Sequence, residues 1–331
     1  MEQRTLGRTG LKVSVLGFGC GAVGGLMVNG SPADQERAVA WAIDQGINYF
    51  DTAAQYGEGR SETNLGRVLR TLKAPKDKIL VGTKVRVPRA ERGRIGAAIV
   101  EAMDASLQRL GMDSVDLFQL HNAITDAGTE PDLSVEEVLN DVVPALEKLR
   151  QQGKTRFIGM TAVGDASALH RIVAAGVMDT AQVPHNLLNP SPMQALPPGF
   201  PAQDFCQIMP AAKAAGIGVI GIRVLAGGAL SGHVKRHPIG MQDVAPIGSA
   251  PSYAKDAANA RRLQPLVDEG FAGSVIEAAM RFAISNDAMS TVLIGFSTQS
   301  EFEQAGAAIN KGRLSEAALT RVAALQRGFA A

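Results

Sequence analysis

Four residues of different chemistry stand at or just beyond the ends of apolar runs. Asp51 ends "INYFD", Tyr56 follows in the next loop, Lys84 ends "ILVGTK" and His121 ends "VDLFQLH". A carboxylate, a phenol, an ammonium and an imidazole brought together suit carbonyl reduction, in which a hydride arrives at carbon and the developing alkoxide needs a proton. A tyrosine, with an ordinary pKa of about 10, is a poor acid near neutrality unless a neighbouring cation stabilises its phenolate. Lys84 would supply that cation. Asp51 would fix the lysine and keep it protonated, and His121 would donate to the carbonyl oxygen. Taken singly, each has an ordinary reading: a helix cap for Asp51, a packing aromatic for Tyr56, a solvated loop cation for Lys84 and a core histidine for His121. Their meaning therefore depends on whether the fold brings them to one place.

The elements that would do so alternate along the chain. Strand-like runs lie at 13–19, 48–53, 79–84, 115–121, 156–162, 180–186, 218–224 and 290–296, apolar at nearly every position as expected of strands covered on both faces. Amphipathic helical patterns at 31–46, 61–72, 94–111, 134–153, 165–176 and 205–216 separate them, several ending in glycine. This rhythm predicts an α/β fold, a (β/α)8 TIM barrel forming a single domain over 1–331. An N-terminal β-hairpin is expected in "RTLGRTGLKVS" and a long loop after strand 7. Active sites of such barrels sit at the C-terminal ends of the strands, which puts the four residues on one face. The irregular stretch 231–252 is too long for an ordinary connection and reads as a lid.

Composition narrows the function classes. Lys+Arg 33 against Asp+Glu 32 leaves a net charge of +1, which offers no field to attract nucleic acid or an anionic membrane surface. The partner expected is a small-molecule carbonyl or alcohol. Cys20 and Cys206 have no metal-ligand spacing and read as free, packed thiols in a reducing compartment, so a cytoplasmic location is expected. The first residues lack the continuous apolar core of a secretory signal or membrane span. No metal is expected: a metal-dependent hydrolase needs clustered ligands at strand ends, where only His121 and His185 stand.

One motif invites a different reading. "GCGAVG" carries Gly19, Gly21 and Gly24 at the spacing of a dinucleotide-binding G-x-G-x-x-G, with Asp51 as the acid that would meet the ribose. That fingerprint requires a helix to begin inside the glycines. Here "LMVNGSP" comes next, with Asn29-Gly30 as a turn, Ser31 as helix cap and Pro32 at the first helical position. The helix is thus expected well past the glycines, and the motif reads as the end of the first barrel strand and its loop.

Three blocks in order, "FDTAAQYGEGRSETNLG" (50–66), "VGTKV" (81–85) and "DLFQLH" (116–121), resemble the tetrad motifs of the aldo-keto reductases, and the likeness continues through "STVLIGFSTQSEFEQA" (290–305). The resemblance implies Tyr56 as general acid/base, Lys84 and Asp51 as its activating pair and His121 as the group orienting the carbonyl. It also implies an NAD(P)-dependent oxidoreductase, with NADP(H) expected on the family habit and NAD(H) the alternative. The cofactor would lie extended across the barrel mouth, near Gly21 and Ala22, with its carboxamide at Thr161 and Gln182. Arg223, Leu225 and Gly228 would follow along its length, and Gly295, Ser297, Thr298, Glu301 and Gln304 would meet the adenosine half. Several positions depart from the family pattern. Ala162 cannot hydrogen-bond through its side chain, the aromatic that stacks on the nicotinamide is replaced by Ile222 or Arg223, and "QVPHN" puts His185 in a tyrosine's place. At the ribose end Glu301 would repel a 2′-phosphate, whereas Lys235 and Arg236 in the lid would attract one. A second reading is a cofactor-binding redox sensor or regulatory subunit resembling the potassium-channel β-subunit. Substrate choice stays open among sugars, aromatic aldehydes, pyridoxal and methylglyoxal, because loops set it.

Overall fold

The computed structural model describes every residue except 76, 233, 234 and 331. Eight parallel strands close into a barrel in chain order: β1 (Leu16–Gly19), β2 (Tyr49–Asp51), β3 (Leu80–Val85), β4 (Val115–Leu120), β5 (Thr155–Thr161), β6 (Thr180–Pro184), β7 (Gly218–Ile222) and β8 (Met289–Ile294), with β8 pairing back onto β1. The barrel is a (β/α)8 TIM barrel. Period-two alternation divides each strand between two cores. Inside, Tyr49, Leu117, Ile220 and Leu293 pack with Leu6, Leu11 and Val13 of the N-terminal segment, which plugs the bottom. Outside, residues such as Phe18, Phe50, Phe118 and Ile158 pack under the helices, so the strands are apolar on both faces.

The hairpin pairs Gln3–Thr5 with Lys12–Ser14. It takes the start of the run expected as strand 1: Val15 donates its N–H to Glu2 O at 2.9 Å, and the barrel strand begins at Leu16. Strand ends are shorter than the apolar runs elsewhere as well. β7 stops at Ile222 because Arg223 takes φ +57°, outside the extended region. The helical pattern at 134–153 holds a π-helical stretch, Val138–Val142, just ahead of Pro144, whose missing N–H leaves an α ladder incomplete.

The glycine motif is corrected in one respect. A single helical turn, Leu26–Asn29, starts directly after Gly25, earlier than the sequence suggests, while the long helix begins at Pro32 with the Ser31 hydroxyl accepting from Asp34 N–H at 3.2 Å. The glycines serve close backbone packing. A Cβ at Gly24 would lie 2.0 Å from Phe296 N, and one at Gly25 would lie 2.1 Å from Ile239 O. The loop after β1 is thereby pressed against the loop after β8 and the strap after β7.

That strap is the long loop expected at 231–252, of which positions 233 and 234 lie outside the described residues. It crosses to the loop after β1, where Met241 N–H donates to Ala22 O at 3.1 Å and Asn29 Nδ2 donates to Ile239 O at 2.8 Å. On the opposite side Gly248 O accepts from Asn189 Nδ2 at 2.7 Å and from Gln203 N–H at 3.0 Å. Among the described residues no helix is long and apolar enough to cross a membrane.

Candidate active site

The C-terminal ends of β2, β3 and β4 bring Asp51, Lys84 and His121 together, and the loop after β2 returns Tyr56 to them. The block after Tyr56 explains how that loop is held. Ser61 Oγ donates to Cys20 O at 2.9 Å and shares a 2.8 Å hydrogen bond with Thr52 Oγ1, docking the helix Arg60–Thr71 onto β1 and β2. Buried Glu62 accepts from Thr83 Oγ1 at 2.6 Å and pairs with Arg109 at 2.5 Å, which fixes β3 one residue before Lys84.

Lys84 is fully buried. Its Nζ donates to Asp51 Oδ1, to Thr52 O at 2.8 Å and to the Tyr56 hydroxyl at 3.3 Å. One ammonium thus touches both the carboxylate and the phenol. The other carboxylate oxygen, Oδ2, accepts from Tyr49 Oη at 2.8 Å and from Gln182 Nε2 at 2.7 Å. Burial alone would lower the Lys84 pKa, but Asp51 and the Tyr56 hydroxyl outweigh it and hold the ammonium above its usual value. Tyr56 differs from the sequence expectation. Burial pushes its phenol up, Lys84 opposes this and Asp51 adds to it, so the net shift is upward and the hydroxyl keeps its proton at neutral pH. The group is poised as a proton donor.

His121 packs edge-on to Tyr56, with ring centroids 5.7 Å apart at 83°. Burial, then Lys84 and Arg86, hold its pKa down to about 3, so the imidazole is neutral. Its Nδ1 lies 2.8 Å from Gln55 Oε1, a contact absent from the sequence reading. Tyr49, which no motif marks, sits two residues before Asp51 on the same inward face of β2, a parity that strand alternation makes legible.

The expected cofactor positions are distributed around the mouth. Gly21 leaves room beside the Tyr56 ring, since a Cβ there would only reach it at 3.8 Å. Thr161 Oγ1 is buried without a hydrogen-bond partner, the condition of a group awaiting a ligand's amide. Gln182, expected at the carboxamide, instead spends its Nε2 on Asp51, and Ala162 contributes only its N–H, donated to Gln182 O at 2.8 Å. Ile222 packs with the inward cluster, whereas Arg223 turns into the loop with its Nη1 on Ala245 O at 3.1 Å. Of the two residues expected in place of a stacking aromatic, the one packed inward is therefore the aliphatic Ile222. Arg236 donates to Met241 O at 2.5 Å, Gly227 O at 2.7 Å and Val23 O at 3.2 Å. Both guanidinium groups lie beside the Gly227-Gly228 pair and, among the described residues, hydrogen-bond only to carbonyls, so no carboxylate there neutralises their charge.

At the far end the positions expected for the adenosine half form a self-contained helix start. Ser297 Oγ donates to Gly24 O at 2.6 Å, Thr298 caps Gln299–Asn310, and Glu301's carboxylate accepts from Ser297 N–H at 2.7 Å. Gln304 is exposed, in a groove between that helix and Val275–Ala283 with Glu277 and Lys311. Lys235 is exposed. Cys20 is buried as expected, but Cys206 is exposed, and both are free. Among the described residues no three His, Cys, Asp or Glu could hold a metal ion.

His185 is buried and stacks on Phe282 at 5.1 Å, with its Nδ1 unpartnered. Burial holds its pKa down to about 4 from 6.5. As pH falls below 6.5, the unfolded chain binds a proton that the folded chain refuses, so stability drops until about pH 4. The total loss is roughly 3 kcal/mol. His185→Phe is expected to remove that part of the acid sensitivity in urea unfolding at pH 7 and pH 4.5; an unchanged difference between the two pH values would contradict the assignment.

The sequence matches the model of the aldo/keto reductase family over residues 15–327. L-galactose dehydrogenase of Arabidopsis thaliana is 29% identical over 316 residues, spanning 94% of this chain and 89% of that protein. A putative voltage-gated potassium channel subunit beta of Schizosaccharomyces pombe is 35% identical over 165 residues, 47% of this chain and 44% of the other. A solved aldo-keto reductase from Bacillus halodurans, in its holo form, shares the fold with a TM-score of 0.71 at 23% identity, across 98% of this chain and 96% of that one.

Proposed function

Because the chain belongs to the aldo/keto reductase family, we propose that it is a nicotinamide-dependent oxidoreductase interconverting a small-molecule aldehyde or ketone with its alcohol. The observation that carries this reading is the Tyr56–Lys84–Asp51 chain, in which a buried ammonium bridges a protonated phenol and a carboxylate. The bound cofactor would supply the hydride. Tyr56 gives its proton to the oxygen as negative charge develops there, and Lys84 stabilises the phenolate left behind. Asp51, held by Tyr49 and Gln182, keeps the ammonium aimed at Tyr56 Oη. His121, packed edge-on to Tyr56, would meet the same substrate oxygen. Thr161 would bind the carboxamide, Gly21, Ala22 and Ile222 would bound the ring, and Arg223, Leu225 and Gly228 would follow the pyrophosphate. Steady-state assays with NAD(P)H and a panel of aldehydes, and with NAD(P)+ and alcohols, test the reading: ordinary turnover supports it, and tight cofactor binding without turnover defeats it.

The ribose end favours NAD(H) over the NADP(H) of the family habit. Ser297, Thr298 and Glu301 would meet the ribose, and the Glu301 carboxylate already takes an amide that a phosphate would need. In fluorescence titration NADH is expected to bind about tenfold or more tightly than NADPH, a difference of about 1.4 kcal/mol or more. Glu301→Arg should narrow the gap; tighter NADPH binding by the unmodified protein would overturn the preference. A second reading, a redox-sensing regulatory subunit, draws on the partial likeness to the channel subunit beta. It predicts cofactor binding with no turnover in the same assays.

A further inference from the structure

We propose that Gln55 is a positioning residue for His121: its carboxamide, seated against Nδ1, decides which ring nitrogen carries the proton and so what His121 offers to the substrate oxygen. The inference rests on the reading that His121 faces that oxygen. A neutral imidazole has one N–H and one lone pair. As the two residues stand, Gln55 Oε1 lies 2.8 Å from Nδ1, so Nδ1–H donates to it and Nε2 keeps the lone pair. Nε2 makes no hydrogen bond among the described residues, which leaves this nitrogen to a ligand. The resting tautomer therefore accepts a hydrogen bond, whereas a carbonyl oxygen gaining negative charge requires a donor.

The carboxamide can supply the alternative. Turned half a revolution about its last torsion, it presents its NH2 group to Nδ1, and the ring proton moves through solvent to Nε2, giving the donor tautomer. Gln55 is exposed, and its side chain makes no hydrogen bond other than that to His121 among the described residues, so no second partner opposes that half-turn. Neither Lys84 nor Arg86, the cations that oppose protonation of this ring, can offer both roles, since both only donate. A glutamate at position 55 would only accept and would lock the resting tautomer. A leucine would impose no choice.

Nitrogen-15 NMR of His121 in the cofactor-free protein, compared with Gln55→Glu and Gln55→Leu, tests the proposal without requiring turnover. The expected result is a protonated Nδ1 and an unprotonated Nε2 in the unmodified protein and in Gln55→Glu, with a raised imidazole pKa in the latter. Gln55→Leu should shift the population towards protonated Nε2. In assays with an aldehyde, Gln55→Glu should lower kcat/KM by up to about 10²-fold, the cost of losing one donor at a developing oxyanion. Gln55→Leu should lose less. A protonated Nε2 in the unmodified protein, a tautomer unmoved by Gln55→Leu, or equal kinetic losses in the two variants would each overturn it. Absence of turnover in all three proteins would count against the oxidoreductase reading, and the NMR result would still decide the role of Gln55.

Discussion

Tyr56→Phe is expected to lower kcat by about 10²–10⁴-fold, the usual contribution of a positioned proton donor. The substitution removes one hydroxyl and keeps the ring, so the edge-on contact with His121 and the Gly21 side of the mouth survive. Cofactor affinity should therefore stay close to that of the unmodified protein in fluorescence titration. The loss falls on kcat because the proton is needed only as charge develops on oxygen. The phenol's raised pKa sharpens the expectation, since at neutral pH the unmodified residue is almost wholly in the donating form. Turnover retained by Tyr56→Phe would remove the central residue from the account.

The second large effect concerns the pair beneath it. Lys84 and Asp51 are both buried, and breaking a buried ion pair from one side leaves an uncompensated charge at a cost of about 3–5 kcal/mol. Lys84→Met strands the carboxylate with two neutral donors, Tyr49 and Gln182. Asp51→Asn strands the ammonium with the Thr52 carbonyl and the phenol. Each single variant should unfold at markedly lower urea concentration. The double variant Asp51→Asn/Lys84→Met should recover most of that stability, because no charge remains to be desolvated, yet stay as inactive as either single variant. If the two losses in stability simply added, the pair would not be coupled in the way its geometry indicates.

Much of this arrangement is legible in the sequence, for physical reasons that differ by element. The eight strands are readable because both faces are covered, which writes nearly continuous apolar runs. Their ends are less so: nothing in "GIRV" announces that Arg223 would leave extended backbone, and the run at 13–19 serves two strands at once. Asp51, Lys84 and His121 stand out because a barrel collects strand ends on one face. Gln182 shows the limit. It stands in the middle of β6, and residue type cannot tell whether an amide turns to a ligand or to a neighbouring carboxylate; its Nε2 turns to Asp51. Gln55 was invisible for the same reason, being an ordinary loop residue until β4 brings the imidazole beside it. The glycines of "GCGAVG" could be separated from a nucleotide fingerprint by the turn and proline downstream of them, although the helical turn at Leu26–Asn29 lay below what the spacing of apolar residues could reveal.

The most direct test of the whole account is label transfer. The unmodified protein, given reduced cofactor deuterated at the transferring position and a panel of aldehydes, is predicted to yield alcohol carrying deuterium on the former carbonyl carbon, as read by mass spectrometry, and Tyr56→Phe is predicted to yield almost none. Tight cofactor binding with no deuterium in any alcohol would contradict the account and leave the chain as a sensor of cofactor state.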